Sequence, residues 1–557
     1  MTSAGLLRQA PKLTMALLVL PVLAGLAGTV FPAFSNNAKG IHDLLDWPGL
    51  PVAALLSVGT GLAATMLSLA VTLLLVASLW GTRAFATLQH LLAPLLSVPH
   101  AAAALGLAFL IAPSGWLARM MSPWATGWVQ PPDLLVLNDP WGITLTLGLV
   151  AKEVPFLLLM TLAALPQTDA ARRLSAAQSL GAGRTAGFVV GVLPSLYRQL
   201  RLPVYAVLAY SMTAVEMAMI LGPTRPTTLS AQVVIWMTDP TLTGRSTAAA
   251  AAILQLALVI AALLLWRLAE GAAKQMVVAL AIDGLRAPWA DGVARAMAIV
   301  TGGLVAGGLI FGLAGLAVWS VAGLWQFPDA LPESLTLKTW MRAAPDLVST
   351  GSITLVIALL SSLAALALAL ACLEAEHRFA LSPGARALWV LYLPLLVPQV
   401  AFLPGLQFLA LRAGVQGHWL AVSMAHLVFV LPYVFLSLAP AYRAWDVRVA
   451  SAGAALGASP ARVFWRLRLP MLTRAVLTAA AVGLAVSVGQ YLPTLLIGGG
   501  RVETLTTEAV ALSSGGNRRL IGAYAILQMV LPILGFATAL LIPAVIFRNR
   551  RSMGAVA

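Results

Sequence analysis

A chain of 557 residues that is 60% hydrophobic and only 10% charged, with a mean hydropathy of +0.92, carries more apolar surface than a soluble core can hide. The net charge of +15 sits in short segments beside the apolar runs and forms no single basic stripe, which excludes a nucleic-acid-binding surface. The lone cysteine, Cys372, excludes a disulfide framework and a Cys/His metal cluster.

In chain order, apolar runs of roughly 20 residues, the length that crosses a bilayer, predict an all-α polytopic membrane protein of twelve spans. They fall at 13–34, 55–79, 91–113, 142–165, 202–222 and 246–266, then at 296–321, 347–372, 387–411, 420–442, 471–493 and 520–547. The first run is too long for a signal-peptide core and has no A-x-A pattern after it, so it is read as a retained span. The larger share of the Lys and Arg residues lies on the side of the N-terminus, with Arg8, Lys12, Arg184, Arg267, Lys274, Arg466 and Arg548 among them. Lys39, Arg225 and Arg501 are on the other side, and the positive-inside rule predicts both termini in the cytoplasm. The opposite loops carry Trp116, Trp124, Trp128, Trp141, Trp325 and Trp340, read as anchors at the membrane–water interface.

Two polar islands between spans resemble each other. Residues 175–194 read SAAQSLGAGRTAGFVVGVLP and residues 451–470 read SAGAALGASPARVFWRLRLP, and they align without a gap at an offset of 276 residues. The match covers Ser175 with Ser451, Ala176 with Ala452, Leu180 and Gly181 with Leu456 and Gly457, Phe188 with Phe464, and Pro194 with Pro470. An internal repeat at this period predicts two six-span units, 1–280 and 281–557, running parallel because each holds an even number of spans. Gly181 tolerates the backbone angles that end one short helix and start another, Phe188 gives the second helix an apolar face, and Pro194 is expected to end it.

These islands resemble the coupling segment of permease subunits in binding-protein-dependent ABC importers, in which E-A-A-x-x-x-G-A is followed by nine variable residues and a hydrophobic-L-P ending. The whole chain is similar to two such permeases fused, as in the ferric-iron and thiamine importers. The resemblance implies that Ser175, Ala176, Ala177, Leu180, Gly181, Phe188, Pro194 and Ser451, Ala452, Leu456, Gly457, Phe464, Pro470 engage an ATPase. It further implies two copies of that ATPase subunit, a periplasmic solute-binding protein, and a multi-pass location in a bacterial inner membrane. The sequence departs from the pattern where the leading Glu is Ser175 or Ser451, and where Gly453 replaces the second Ala. No G-x-x-x-x-G-K-[ST] loop occurs, so ATP is expected on the partner and this chain is expected to hold no cofactor, metal or catalytic group of its own.

Charges inside the predicted spans are the remaining signal. Lys152 and Glu153 lie in the fourth span and Glu216 in the fifth, where an unpaired charge costs at least about 2.5 kcal/mol. They are candidates for a pathway lining together with Gln490, which aligns near Glu216 in the second unit. The same residues also permit a structural ion pair between spans four and five. A self-contained secondary transporter using Lys152, Glu153 and Glu216 as an ion relay is the alternative reading. It leaves the two coupling-like segments without a purpose.

Overall fold

The computed structural model describes residues 3–95, 97–239, 244–381 and 384–548. Among these residues the chain consists of helices and connecting turns, with one antiparallel bridge between Ala322 and Leu335. Among the described residues nine helices are long and apolar enough to cross a membrane, or twelve when each of three bent pairs is taken as one span. In that count spans 1 to 6 are Gly5–Phe34, Leu50–Leu79, His100–Met121, Ile143–Thr168, Arg184–Ser211 with Val215–Leu221, and Gly244–Ile282. Spans 7 to 12 are Ala290–Val321, Lys338–Arg378, Ala387–Leu396 with Gln399–Arg412, Trp419–Arg443, Pro460–Met471 with Thr473–Val488, and Arg518–Ile546.

Four predicted spans are not continuous. The run 91–113 is divided into Arg83–Leu95 and His100–Ile111, and the run 387–411 bends by 84° between Leu396 and Gln399. Both interruptions hold Val-Pro: Pro99 and Pro398 have no N–H to continue a helix, a proline disfavours the helical region for the residue before it, and Val397 is extended at ψ 122°. The run 202–222 breaks at 212–214, and the run 471–493 breaks at 489–491. Hydropathy passes over these breaks because it averages over a window of about 19 residues, in which one or two polar residues such as Ser97, Thr213 or Gln490 are outweighed by apolar neighbours. Two further helices, Leu229–Thr238 and Leu505–Ser513, fold inside stretches predicted as loops.

Broken helices leave carbonyl and amide groups that must be satisfied inside the protein. The two halves do this with matching parts. Gln255 of span 6 donates to the Met212 carbonyl at 3.0 Å; Gln528 of span 12 donates to Thr506 Oγ1 at 2.6 Å, and Thr506 in turn donates to the Val488 carbonyl. Met212 and Val488 are 276 residues apart, and both glutamines close the tetrapeptide AILQ. Likewise Ser57 of span 2 accepts from the Leu229 amide at 2.8 Å, and Thr354 of span 8 accepts from the Leu505 amide at 2.9 Å. Gln255→Leu is expected to lower stability by about 1–2 kcal/mol, read as a fall in the unfolding temperature of the detergent-purified protein, because it orphans a buried carbonyl.

The halves interlock through their first spans. Span 1 lies along span 9, where Gly25, Gly28 and Gly405 bring the backbones together, and Thr29 Oγ1 accepts from the Gly405 amide at 3.0 Å while donating to the Gly25 carbonyl. Span 7 lies along span 3 in the same manner, with Gly312 against Gly106. Small residues permit such approach where no hydrophobic force draws helices together in lipid. At the end of the bundle away from the coupling segments, Arg119 is caged by Trp319, Trp325 and Phe327 and donates to the Gln326 and Asp329 carbonyls. Trp325, predicted as an interface anchor, is therefore buried as one wall of that cage.

Candidate functional site

Each repeated island folds as a helix, a left-handed glycine and a second helix. The first helices, Ala170–Ser179 and Val447–Ala455, end at Leu180 and Leu456. Gly181 and Gly457 follow at φ of +83° and +77°, a region closed to most residues. In both turns the amide two residues beyond the cap closes a six-residue loop: Ala182 donates to the Ala177 carbonyl at 3.2 Å, and Ala458 to the Gly453 carbonyl at 3.0 Å. This is the glycine-terminated helix stop that satisfies otherwise orphaned carbonyls. It leaves Leu180 78% exposed and Leu456 88% exposed, each at the tip of its turn.

Packing inside each turn explains one departure from the pattern. Ala177 lies against Gly187, whereas Gly453 lies against Val463 and Leu467. Position 453 corresponds to 177 and position 463 to 187, so the methyl group lost on one helix is made up by a valine on the other. Ser175, Ala176, Ser451 and Ala452 are exposed on the first helices, with the Ser451 hydroxyl turned back on the Val447 carbonyl.

The aromatic residues behave differently from expectation. Phe188 is 1% exposed and belongs to the large apolar core shared by both halves, and Phe464 is half-buried with Trp465 crossing it edge-on. Both start a five-residue π turn, Phe188–Val192 and Phe464–Arg468. Pro194 and Pro470 then lie in the first turn of the helical segment that follows, where a missing N–H is harmless. Pro194 thus opens the helix that becomes span 5, instead of ending the coupling helix.

Two motifs of this geometry in one bundle can be weighed against known proteins. The chain is 31% identical over 528 residues to the inner membrane ABC transporter permease protein YnjC of Escherichia coli strain K12, covering 95% of this chain and 94% of that protein. The chain belongs to the ABC transporter permeases. Shorter stretches match the molybdenum transport system permease protein ModB of Mycobacterium tuberculosis, 32% over 124 residues, which is 20% of this chain and 47% of ModB. Another stretch matches the spermidine/putrescine transport system permease protein PotC of Haemophilus influenzae, 24% over 145 residues, or 26% of this chain and 56% of PotC. No family model matches the chain. Full-length likeness to a permease sets aside the secondary-transporter reading, and the permease is a multi-pass membrane protein.

Within the permease, the four candidate pathway residues have distinct surroundings. Lys152 is 3% exposed, and its ammonium donates to the Val98 carbonyl at 2.6 Å and the Leu95 carbonyl at 3.2 Å. It therefore caps the C-terminal end of Arg83–Leu95 at the Val-Pro break, where a cation also suits the helix dipole. Aligning Pro155 with Pro432 sets Phe429 of span 10 opposite Lys152, and Phe429 stacks on Phe402, with ring centres 5.8 Å apart.

Glu153 faces His100, with 3.7 Å between Oε1 and Nε2. Glu216 accepts from the Tyr210 hydroxyl at 2.8 Å, and Tyr210 lies against the His100 ring at 4.8 Å. From the other half Tyr491, inside the span 11 break, touches Met219 across the half–half boundary, 3.5 Å from hydroxyl to sulfur. The structure thus gathers Glu153 and Glu216 into one polar group with His100 and Tyr210, and turns Lys152 to backbone.

Gln490 is half-buried inside the span 11 break. Matching Met212 with Val488 sets it opposite Ala214, and sets Leu492 opposite Glu216. His426, which hydropathy and the repeat leave unmarked, is 1% exposed and joins both sides of that break through Ser487 Oγ and Thr494 Oγ1, each at 2.8 Å. A histidine isolated within the apolar helix Trp419–Arg443 was the available signal.

Proposed function

We propose that this permease forms the translocation pathway of an ABC importer for a small solute, with both termini and both glycine turns in the cytoplasm. Each turn docks one ATPase subunit, which binds and hydrolyses ATP, and a periplasmic solute-binding protein delivers the solute from the other side. The observation that carries this reading is the pair of bare leucines, Leu180 and Leu456, held at the tips of two rigid turns of the same geometry. An apolar tip on a pre-ordered turn binds a groove at little entropic cost. The pathway runs between the halves past Glu153 and Glu216. With Lys152 engaged by carbonyls, the charge facing that boundary favours a cationic solute over an anion.

Leu180→Asp combined with Leu456→Asp is expected to weaken association with the ATPase by about tenfold or more. The permease should remain folded, because both side chains already stand in solvent. Co-purification of a subunit carrying the G-x-x-x-x-G-K-[ST] loop, together with its permease-stimulated ATP hydrolysis, measures this. Unchanged association and hydrolysis in the double variant would overturn the docking role of the turns.

A further inference from the structure

The two glycine turns have nearly the same backbone, yet they are tied to different parts of the molecule. The segment joining the halves, 283–289, returns from span 6 and lies on the first turn. Its Arg286 carbonyl accepts from the Gly183 amide at 2.6 Å, and the Arg286 side chain rests beside Gly181. Asp291, in the opening turn of span 7, accepts from two free amides at the start of the second coupling helix, Arg184 at 2.7 Å and Thr185 at 2.8 Å. The Arg184 side chain completes the joint by donating to the Ala77 carbonyl at 3.0 Å and to the Trp80 carbonyl. A cap that residues of the same helix normally supply is here supplied by the other half of the protein.

The second turn lacks this arrangement. Ser459 caps its own helix through the Arg462 amide, and the space around Gly457 is open. That segment is fixed instead by Arg468 of its π turn, 2% exposed, which donates to Glu374 Oε2 of span 8 at 2.6 Å and lies over the Trp445 and Tyr442 rings. Tyr442 also donates to Glu374. Val192 stands where Arg468 does in the first half, so the ion pair has no counterpart there.

We infer that Asp291 is the positioning residue for the first coupling turn, and that this turn is wired across the chain to span 7 of the second half, whereas the second turn is wired within its own half to span 8. The inference rests on the docking reading above. A push on the first turn moves the first span of the second half directly, and span 7 in turn packs on span 3 at Gly106. A push on the second turn moves span 8. The two ATPase strokes therefore enter the bundle by different routes, and removing one carboxylate disables one route alone.

The test uses the full-length detergent-purified permease and reads amide hydrogen exchange in the two turns. Asp291→Ala is expected to raise the exchange of the Arg184 and Thr185 amides by about fivefold, the effect of losing a helix cap. The Arg462 amide of the second turn should be unchanged. Asp291→Asn, which keeps one acceptor, should fall between, and Ser459→Ala should act on the second turn only. Permease-stimulated ATP hydrolysis should fall in Asp291→Ala and recover in part in Asp291→Asn. Equal exchange at Arg184 and Thr185 with and without Asp291 would overturn the inference, as would equal effects on both turns. Failure of the docking reading shows elsewhere, as retained ATPase association in the paired leucine variant.

Discussion

Gly405→Leu is expected to abolish the folded permease, and Gly106→Leu to do nearly the same. A β-carbon at 405 would overlap the Gly25 carbonyl oxygen and lie 2.6 Å from the Thr29 amide; one at 106 would lie 3.0 Å from the Gly312 carbonyl carbon. All of these are backbone atoms, so no rotamer change relieves the overlap. The helices must separate, and they are the contacts by which the first span of each half grips the third span of the other. Overpacking of a core commonly costs about 1–3 kcal/mol for an added methylene or two. A leucine wedged between two backbones exceeds that range and also takes away the bond from the Gly405 amide to Thr29. Gly308→Ala is the control: it lies on span 7 with nothing within 4 Å, so the added methyl should be neutral or slightly stabilising. Unfolding temperature and elution of the detergent-purified protein read both outcomes. A Gly405→Leu protein that elutes and melts like the parent would show that the crossing is not essential.

The crossing glycines mark the boundary of what the chain disclosed in advance. Span number, the existence of two coupling turns and the positions of their glycines are local properties, carried by hydropathy and by a repeated string of residues. The 276-residue offset even predicts where the π turns and the span 5 and 11 breaks recur, since Phe188 with Phe464 and Met212 with Val488 share it. What stayed hidden depends on pairs distant in sequence. Nothing around Gly405 names Gly25 as its neighbour, and nothing near Arg184 points to Asp291. The breaks were passed over because hydropathy counts side chains and takes no account of the backbone hydrogen bonds on which a helix depends. The recurrence of AILQ at Gln255 and Gln528 was a usable sign, because a buried amide side chain in lipid needs a partner, and a broken helix supplies one.

Lys152 shows how a correct premise leads to a divided outcome, and it carries the last expected result. A charge in the fourth span needs compensation, and sequence alone offers Glu153 or Glu216 as the partner. The structure supplies two backbone carbonyls instead, at Leu95 and Val98, while Glu153 is next to His100 and Glu216 is bonded to Tyr210. Lys152→Met should therefore destabilise the permease by about 3 kcal/mol, since it removes a charge-assisted bond and strands the carbonyls of the buried residues Leu95 and Val98 at the end of a helix. Glu216→Gln should leave the unfolding temperature nearly unchanged, because an amide oxygen still accepts from Tyr210, and yet should impair ATP hydrolysis stimulated by the solute-loaded binding protein. Adding Glu153→Gln to Lys152→Met separates the two readings. If the residues were a structural ion pair, the second change would restore what the first removed; with carbonyls as the lysine's partners, the double variant should be no more stable than Lys152→Met alone. Recovery of the parental unfolding temperature in the double variant would return Lys152 to a pair with Glu153.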